Sequence, residues 1–364
     1  MRDYLFLAFI FSALPFCFFR PYIGALIWVW LGLMNPHRYT WGIAYTFPSA
    51  ELVAGATLLG LIFSSDKEPP LPARELVLLF LLEIWFTITT FYALQPEQAW
   101  EQWGQVSKML LMTFVILLLF QSKKRLDLLL ITMVLSIGFY AFKGAIFGIV
   151  TGGKYTVWGP PESFITDNNA LALAELMILP FFVFMAREET RSHWRLLYQL
   201  GVVLVILAII LSYSRGGLIG LVVVILLLWV RSRKKLMAMA AIGVGVFLAF
   251  SFVPPKWMDR MKTITTYSQD SSAMSRINGW QFAINLAMDR PVLGGGFGVF
   301  DEEMFKIYAP RPDDVYNAHS IYFRILGEHG FPGLFLLVLL VIQSLASLRR
   351  MRVLARGHPN LGWV

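Results

Sequence analysis

An all-α bundle of membrane-spanning helices is the fold this sequence predicts, and three observations predict it. Hydrophobic residue types make up 57% of the 364 residues and charged types only 15%. Mean hydropathy is +0.63. Apolar runs of about twenty residues recur along nearly the whole chain, each long enough to cross a hydrocarbon layer of about 30 Å. A soluble domain hides one or two such runs, not a succession of them. Backbone groups in lipid must bond within the chain, so the spans are helices. A β-barrel would alternate in short segments, and no such alternation is present.

Taken in order, the first run, Tyr4–Phe19, lacks a small-residue cleavage site and passes through Arg20-Pro21 into a second run at 21–34. It is therefore read as a retained helix and not as a signal peptide. Arg20-Pro21 also suits the break of a re-entrant hairpin. Further runs at 43–63, 74–92, 106–120, 127–149, 169–186, 196–213, 216–230, 236–253 and 319–345 bring the expected number of spans to about eleven, with ten to twelve compatible.

Basic clusters fall on alternate connections: Lys123-Lys124-Arg125; Arg187 with Arg191 and Arg195; Arg231, Arg233, Lys234 and Lys235; and Arg349, Arg350, Arg352 and Arg356. The positive-inside rule places these four connections in the cytoplasm. The N-terminus, the loop 150–168, the turn Ser214–Gly217 and the segment 254–318 then face outward. The chain divides into a bundle at 1–253, a large external loop at 254–318, and a last helix with a basic tail at 319–364. Within the loop, Ile277, Trp280, Ile284, Ala287 and Met288 repeat at helical spacing, Ser275 fits an N-cap and Pro291 a stop, predicting a surface helix over 275–290.

The net charge of +8 sits in short loops between apolar runs, with no basic, aromatic surface of the kind that grips a nucleic acid strand, so it marks topology. Cys17 is the single cysteine and lies inside an apolar run, excluding an intrachain disulfide. The five histidines are scattered and no HExxH or CxxC spacing occurs, so no metal or other cofactor is expected. The glycines of "PVLGGGFGVF", 291–300, lack the Lys-Ser/Thr of a phosphate loop. They predict a tight turn that brings backbone close to the bilayer or a ligand.

Three residues stand out chemically. Arg215, in "LSYSRGGLIG" (211–220), lies at a tight turn between two apolar runs with no acidic residue nearby in sequence. It either snorkels to lipid phosphates or binds an anion. Arg276 opens the predicted surface helix, where free N–H groups reinforce a cation in holding phosphate oxygens; it is otherwise a solvated arginine. Two arginines on one side of the membrane can grip a diphosphate. Arg290, Arg311 and Lys154 face the same way. His319, at a helix mouth, has the imidazole chemistry of a general base near neutrality, or else is a hydrogen-bonded interfacial histidine. Asp167 with Asn168 and Asn169 either caps the span 169–186 or orients a sugar or an arginine. Glu83 and Lys143, inside spans, must pair, snorkel or face the bundle interior, and Arg324 with Glu328 is spaced for an i,i+4 pair.

Four stretches in one order, "DNNALALAELMILP" (167–180), "YSRGGLIG" (213–220), "SRINGWQFAINLAMDRPVLGGGFGVF" (275–300) and "NAHSIYFRILGEHGFPG" (317–333), resemble the O-antigen ligase family of polytopic glycosyltransferases. The stretch "LMNPHRYTWGIAYTFPSAELVA" (33–54) is similar to a subgroup of O-glycosylation ligases associated with exosortase systems. The resemblance implies transfer of a glycan from undecaprenyl diphosphate to an acceptor hydroxyl at the periplasmic face of the bacterial inner membrane, without metal or nucleotide. It implies catalytic roles for His319, Arg215 and Arg276, the two arginines engaging the diphosphate. Asp167, Asn168 and Lys143 are further candidates for substrate contact. Ser320 stands where the family often has Asn. A polysaccharide polymerase, a transporter of a lipid-linked glycan and a non-catalytic scaffold are the alternative readings. No internal pseudo-repeat or broken midplane helix of the transporter kind is visible in the sequence.

Overall fold

The computed structural model describes residues 1–64, 74–232, 235–236, 257 and 271–355. Among them there are thirteen α-helices, one 3-10 helix and no strand. The helices are α1 (Arg2–Phe19), α2 (Pro21–Met34), α3 (Ile43–Thr46), α4 (Ser49–Phe63), α5 (Arg74–Phe91), α6 (Pro96–Leu119), α7 (Lys123–Val150), α8 (Asn168–Glu188), α9 (Ser192–Leu211), α10 (Arg215–Arg231), α11 (Ser271–Asp289), α12 (Glu302–Tyr308) and α13 (Ile321–Ala355), with the 3-10 turn at Pro36–Tyr39. The expected all-α polytopic bundle is what the chain forms.

Among the described residues six helices, α1, α6, α7, α8, α9 and α13, are long and apolar enough to cross a membrane. The other expected runs that fall on described residues form shorter or more polar helices. Helices α2, α4 and α10 have 14, 15 and 17 residues, short of the roughly twenty a full crossing takes. Helix α5 carries Arg74, Glu75 and Glu83. The expected run 43–63 is split at Pro48, whose ring holds Phe47 in extended backbone and parts α3 from α4. The span expected at 106–120 begins a further ten residues earlier, at Pro96. The run 236–253 lies outside the described residues except Leu236.

The chain forms two compact units. The first comprises Met1–Glu68 and Leu119–Ile264, the second Pro69–Leu118 and Thr265–Val364. In the first unit α7, α8, α9 and α10 share a core built on Val134, Leu171, Leu179, Ala208 and Leu221, and α1 through α4 share another built on Ile10, Cys17, Leu31 and Val53. Small residues set the closest approaches: a Cβ on Gly60 would lie 2.2 Å from the Phe18 carbonyl, so α1 and α4 touch backbone to backbone. Outward-facing Leu226, Leu227 and Val223 of α10 stay half exposed, as side chains solvated by lipid tails do.

In the second unit α13 packs on α5 and α11. Helix α11 begins at Ser271, before the predicted start, so Ser275 is not its N-cap. The predicted stripe holds only in part: Ala287 is fully buried as expected, but Ile284 and Met288 are exposed, and the buried face is completed by Phe282, Ala283 and Leu286. The buried face follows α12 and Val299, contacts that lie beyond the helix itself. Helix α13 runs to Ala355 instead of ending near 345, and is interrupted at Gly330, with φ +66° and ψ −170°, just before Pro332. The glycine turn seats against that interruption. Gly295 and Gly296 donate to the carbonyls of Gly327 and Glu328 at 2.8 and 2.7 Å, and Gly294, Gly296 and Gly298 all have φ between +63° and +81°. The glycines thus let this turn approach the backbone of α13 closely.

Candidate functional site

In the first unit, the turn between α9 and α10 is tied down on all sides. Tyr213 sits at φ +59° and its hydroxyl donates to the Gly153 carbonyl. Ser214 caps α10 by accepting the Gly217 N–H at 3.0 Å and donates its own proton to Asn169 Oδ1 at 2.7 Å. Asn168, buried, donates to the Ser212 carbonyl at 2.8 Å. Asp167 accepts from the N–H groups of Asn169 and Ala170 at 2.8 and 3.1 Å, the capping role proposed for it. Asn168 and Asn169 instead reach across to the turn. Arg215, the first residue of α10, is half-buried and stands at a helix N-terminus where the backbone dipole favours an anion.

Lys143, also in this unit, is exposed. Its Nζ lies 3.4 Å from the Tyr39 hydroxyl and 4.8 Å over the Tyr39 ring. Glu83, in the second unit, accepts from Ser107 at 2.5 Å. Glu83 and Lys143 thus each have a partner within their own unit.

The second unit brings the elements carrying Arg276 and His319 together. Ser275 donates to Asp314 at 2.6 Å. Asn278, 1% exposed, donates to the carbonyls of Arg311 and Asp314 at 2.8 and 3.0 Å and accepts the Arg311 N–H at 3.0 Å. Gly279 leaves room for the incoming stretch of backbone, since a Cβ there would lie 2.9 Å from the Tyr316 carbonyl. Trp280 donates to the Ala318 carbonyl at 2.7 Å and stacks on Phe323 at 5.0 Å. Helix α11 thus grips 311–318 along four positions, 275 and 278–280, flanking Arg276.

His319 follows Ala318 directly. It is exposed, with φ +45° and its ring 5.0 Å from that of Tyr316. A left-handed conformation at a non-glycine residue is uncommon and gathers at functional sites, where the surroundings enforce it. Arg276 is half-buried, and its Nε is buried without a hydrogen-bond partner among the described residues.

Behind these residues runs a buried polar network that sequence reasoning found only in part. The Arg324–Glu328 pair is present at 3.0 Å, with the Glu328 side chain 2% exposed. Arg324 also donates to Gln102 at 3.0 Å. His329, fully buried between the rings of Phe86 and Phe297, meets Thr89 Oγ1 at 2.7 Å through Nδ1. Of the other cations considered, Arg290 donates to the Tyr92 carbonyl at 2.9 Å, while Arg311 and Lys154 are exposed. Among the described residues no group of three His, Cys, Asp or Glu side chains could hold a metal ion.

Residues 1–190 match a family of unknown function (DUF5935), and residues 200–338 match the O-Antigen ligase family (Wzy_C). No curated protein and no solved structure matches the chain.

Proposed function

Because this chain belongs to the family of unknown function across residues 1–190 and to the O-antigen ligase family across residues 200–338, we propose that it is a membrane glycan ligase. It acts in the bacterial inner membrane, moving a glycan from undecaprenyl diphosphate to an acceptor hydroxyl of protein, lipid or polysaccharide on the periplasmic side. Its N-terminal resemblance favours work alongside an exosortase system.

In this reading Arg215 and Arg276 hold the diphosphate oxygens. His319 takes the proton of the acceptor hydroxyl as that oxygen attacks the sugar C1. The C1–O bond to the diphosphate breaks, and the charge developing on the leaving oxygen is met by the guanidinium groups. Direct attack inverts the anomeric carbon. General-base help of this kind contributes about 10²–10⁴-fold. Asp167, Asn168 and Lys143 are further candidates for contact with the donor.

The observation that carries the reading is the Trp280–Ala318 hydrogen bond, which fastens the helix bearing Arg276 to the backbone that presents His319. The test replaces Arg215, Arg276 and His319 singly by Ala in membranes supplied with lipid-linked glycan. Each variant is expected to lose transfer by about 10²-fold or more. Undiminished transfer in all three defeats the reading. Glycan on a final acceptor marks a ligase; a longer carrier-linked chain marks a polymerase.

A further inference from the structure

A second cluster of charged and aromatic groups lies in the first unit, within the part of the chain whose family has no known function. Arg38, on the 3-10 turn, places its NH1 2.7 Å from Glu162 Oε2 and its guanidinium 4.6 Å over the Tyr45 ring. The Tyr45 hydroxyl donates to the other oxygen of Glu162 at 3.4 Å. His37 stands beside Arg38, and its Nδ1 is buried with no hydrogen-bond partner among the described residues, as is Arg38 Nε. Asn35, just before the turn, and Glu162 itself both hold left-handed backbone, at φ +48° and +56°.

As a structural staple this arrangement is a poor one. The Glu162 side chain is 64% exposed, so water screens its attraction to Arg38. Asn35 is the left-handed C-cap of α2, a role asparagine fills readily, but Glu162 is held in disfavoured backbone and two buried nitrogens are left unsatisfied, costs that a merely structural contact would not retain. Glu162 belongs to the loop between α7 and α8, which also carries Gly153, the partner of Tyr213. The cluster is therefore at the same end of this unit as Arg215.

We propose that Arg38, Glu162, Tyr45 and His37 form a binding subsite for a neutral sugar residue, a ligand class that rests on the glycan-transfer reading above. The charges choose between ligands. Arg38 is already matched by Glu162, and Glu51 acts electrostatically on His37, so a further anion meets two carboxylates. A hydroxyl pair suits the site better: the guanidinium donates to one oxygen and the exposed Glu162 carboxylate accepts from the other. Burial, and secondarily the Arg38 charge, hold His37 below the usual imidazole range, leaving it neutral with one donor and one acceptor nitrogen, also matched to hydroxyls. Lys143, nearby on Tyr39, is turned to that ring. The subsite would grip sugars of the glycan away from the reacting carbon, so that binding energy remote from the chemistry orients the donor or acceptor.

The test measures saturable binding to the full-length protein in detergent by calorimetry, using maltopentaose, chitopentaose and mannopentaose as neutral probes and oligogalacturonate as the anionic one. At least one neutral probe is expected to bind, more tightly than the anionic one. Arg38→Gln and Glu162→Gln are each expected to weaken it about tenfold, and the double variant little more, since the two act as one unit. Tyr45→Phe, which keeps the ring under Arg38, gives a smaller loss in the same direction and serves where a charge variant misfolds. His319→Ala retains the affinity. Failure of every neutral probe to bind, preference for the anion, or unchanged affinity in the Arg38, Glu162 and Tyr45 variants overturns the subsite. Binding without any transfer would sink the ligase reading and leave the subsite standing, and transfer without saccharide binding would do the reverse.

Discussion

Ser214 donates its hydroxyl proton to Asn169 Oδ1 at 2.7 Å while accepting the Gly217 N–H at 3.0 Å, so one side chain both caps α10 and ties it to the first turn of α8. The two functions separate by mutation. Asn169→Ala removes the tie and keeps the cap. Melting in detergent should change little while glycan transfer falls about tenfold, because Arg215, the next residue, loses its fixed position. Ser214→Ala removes both, and should also lower stability by about 1 kcal/mol.

Trp280 contributes a ring to Phe323 and an N–H to Ala318. Trp280→Phe retains the first and removes the second, leaving the carbonyl of a fully buried residue unpaired at a cost of about 1–3 kcal/mol. The expected outcome is a fall in kcat exceeding any change in KM, since the altered backbone is that leading into His319. A KM effect alone would place Trp280 in donor binding.

Much of this fold is legible because a membrane span announces itself by composition. The ends of α1, α2, α8 and α10 fall within a few residues of expectation, and Asp167 is recognisable as a cap because Asp-Asn-Asn precedes an apolar run. What escapes a reading of the sequence are the long-range partners. Asn278 clamps a segment more than thirty residues away, and nothing local in "SRINGW" signals it. The stripe on α11 is only partly right for the same reason, as Val299 and Phe305 help define its buried face. His329 reads as an ordinary polar residue after Glu328, yet it is fully buried between Phe86 and Phe297, and only the fold reveals why.

The glycine turn offers a stability prediction with an internal control. Gly294 has φ +63°, and a Cβ there would lie 2.7 Å from the Gly327 carbonyl. Gly294→Ala should destabilise by about 2 kcal/mol or more, from backbone strain of about 1–2 kcal/mol plus the clash. Gly104, inside α6, has nothing within 4 Å of the place an added methyl would take, and should gain about 0.5–1 kcal/mol on conversion to Ala. Melting temperatures moving in opposite directions would bear this out.

Glu328 is paired with Arg324 at 3.0 Å and almost wholly buried. Glu328→Ala takes the carboxylate from the guanidinium while the guanidinium's contact with the neutral Gln102 amide stays; because the Arg324 side chain is 37% exposed and water screens its charge, the loss should be about 1–3 kcal/mol. The double change Arg324→Met with Glu328→Met removes the stranded charge and should recover most of that loss. Denaturation of the three variants in one detergent measures the difference. No recovery in the double variant would mean that the pair stabilises the unit through its hydrogen bonds, and not merely by mutual neutralisation.

Glu175 is the opposite case. It lies on the buried face of α8 with Leu171, Ala172, Ile178 and Leu179, is fully inaccessible, and neither carboxyl oxygen has a hydrogen-bond partner among the described residues. An ionisable group inside a membrane helix is by default a functional candidate, but such groups ordinarily come with a partner or a water-filled cavity. Packed among aliphatic side chains, an unsatisfied carboxyl costs about 1–3 kcal/mol, and leucine has a comparable volume. Glu175→Leu should therefore raise the melting temperature and leave glycan transfer unchanged. Glu175→Gln, which retains an unsatisfied polar head, should leave both near the parent values. Loss of transfer in the leucine variant with the glutamine variant active would show instead that the polar head itself is required, and that α8 has a role beyond holding the turn that carries Arg215.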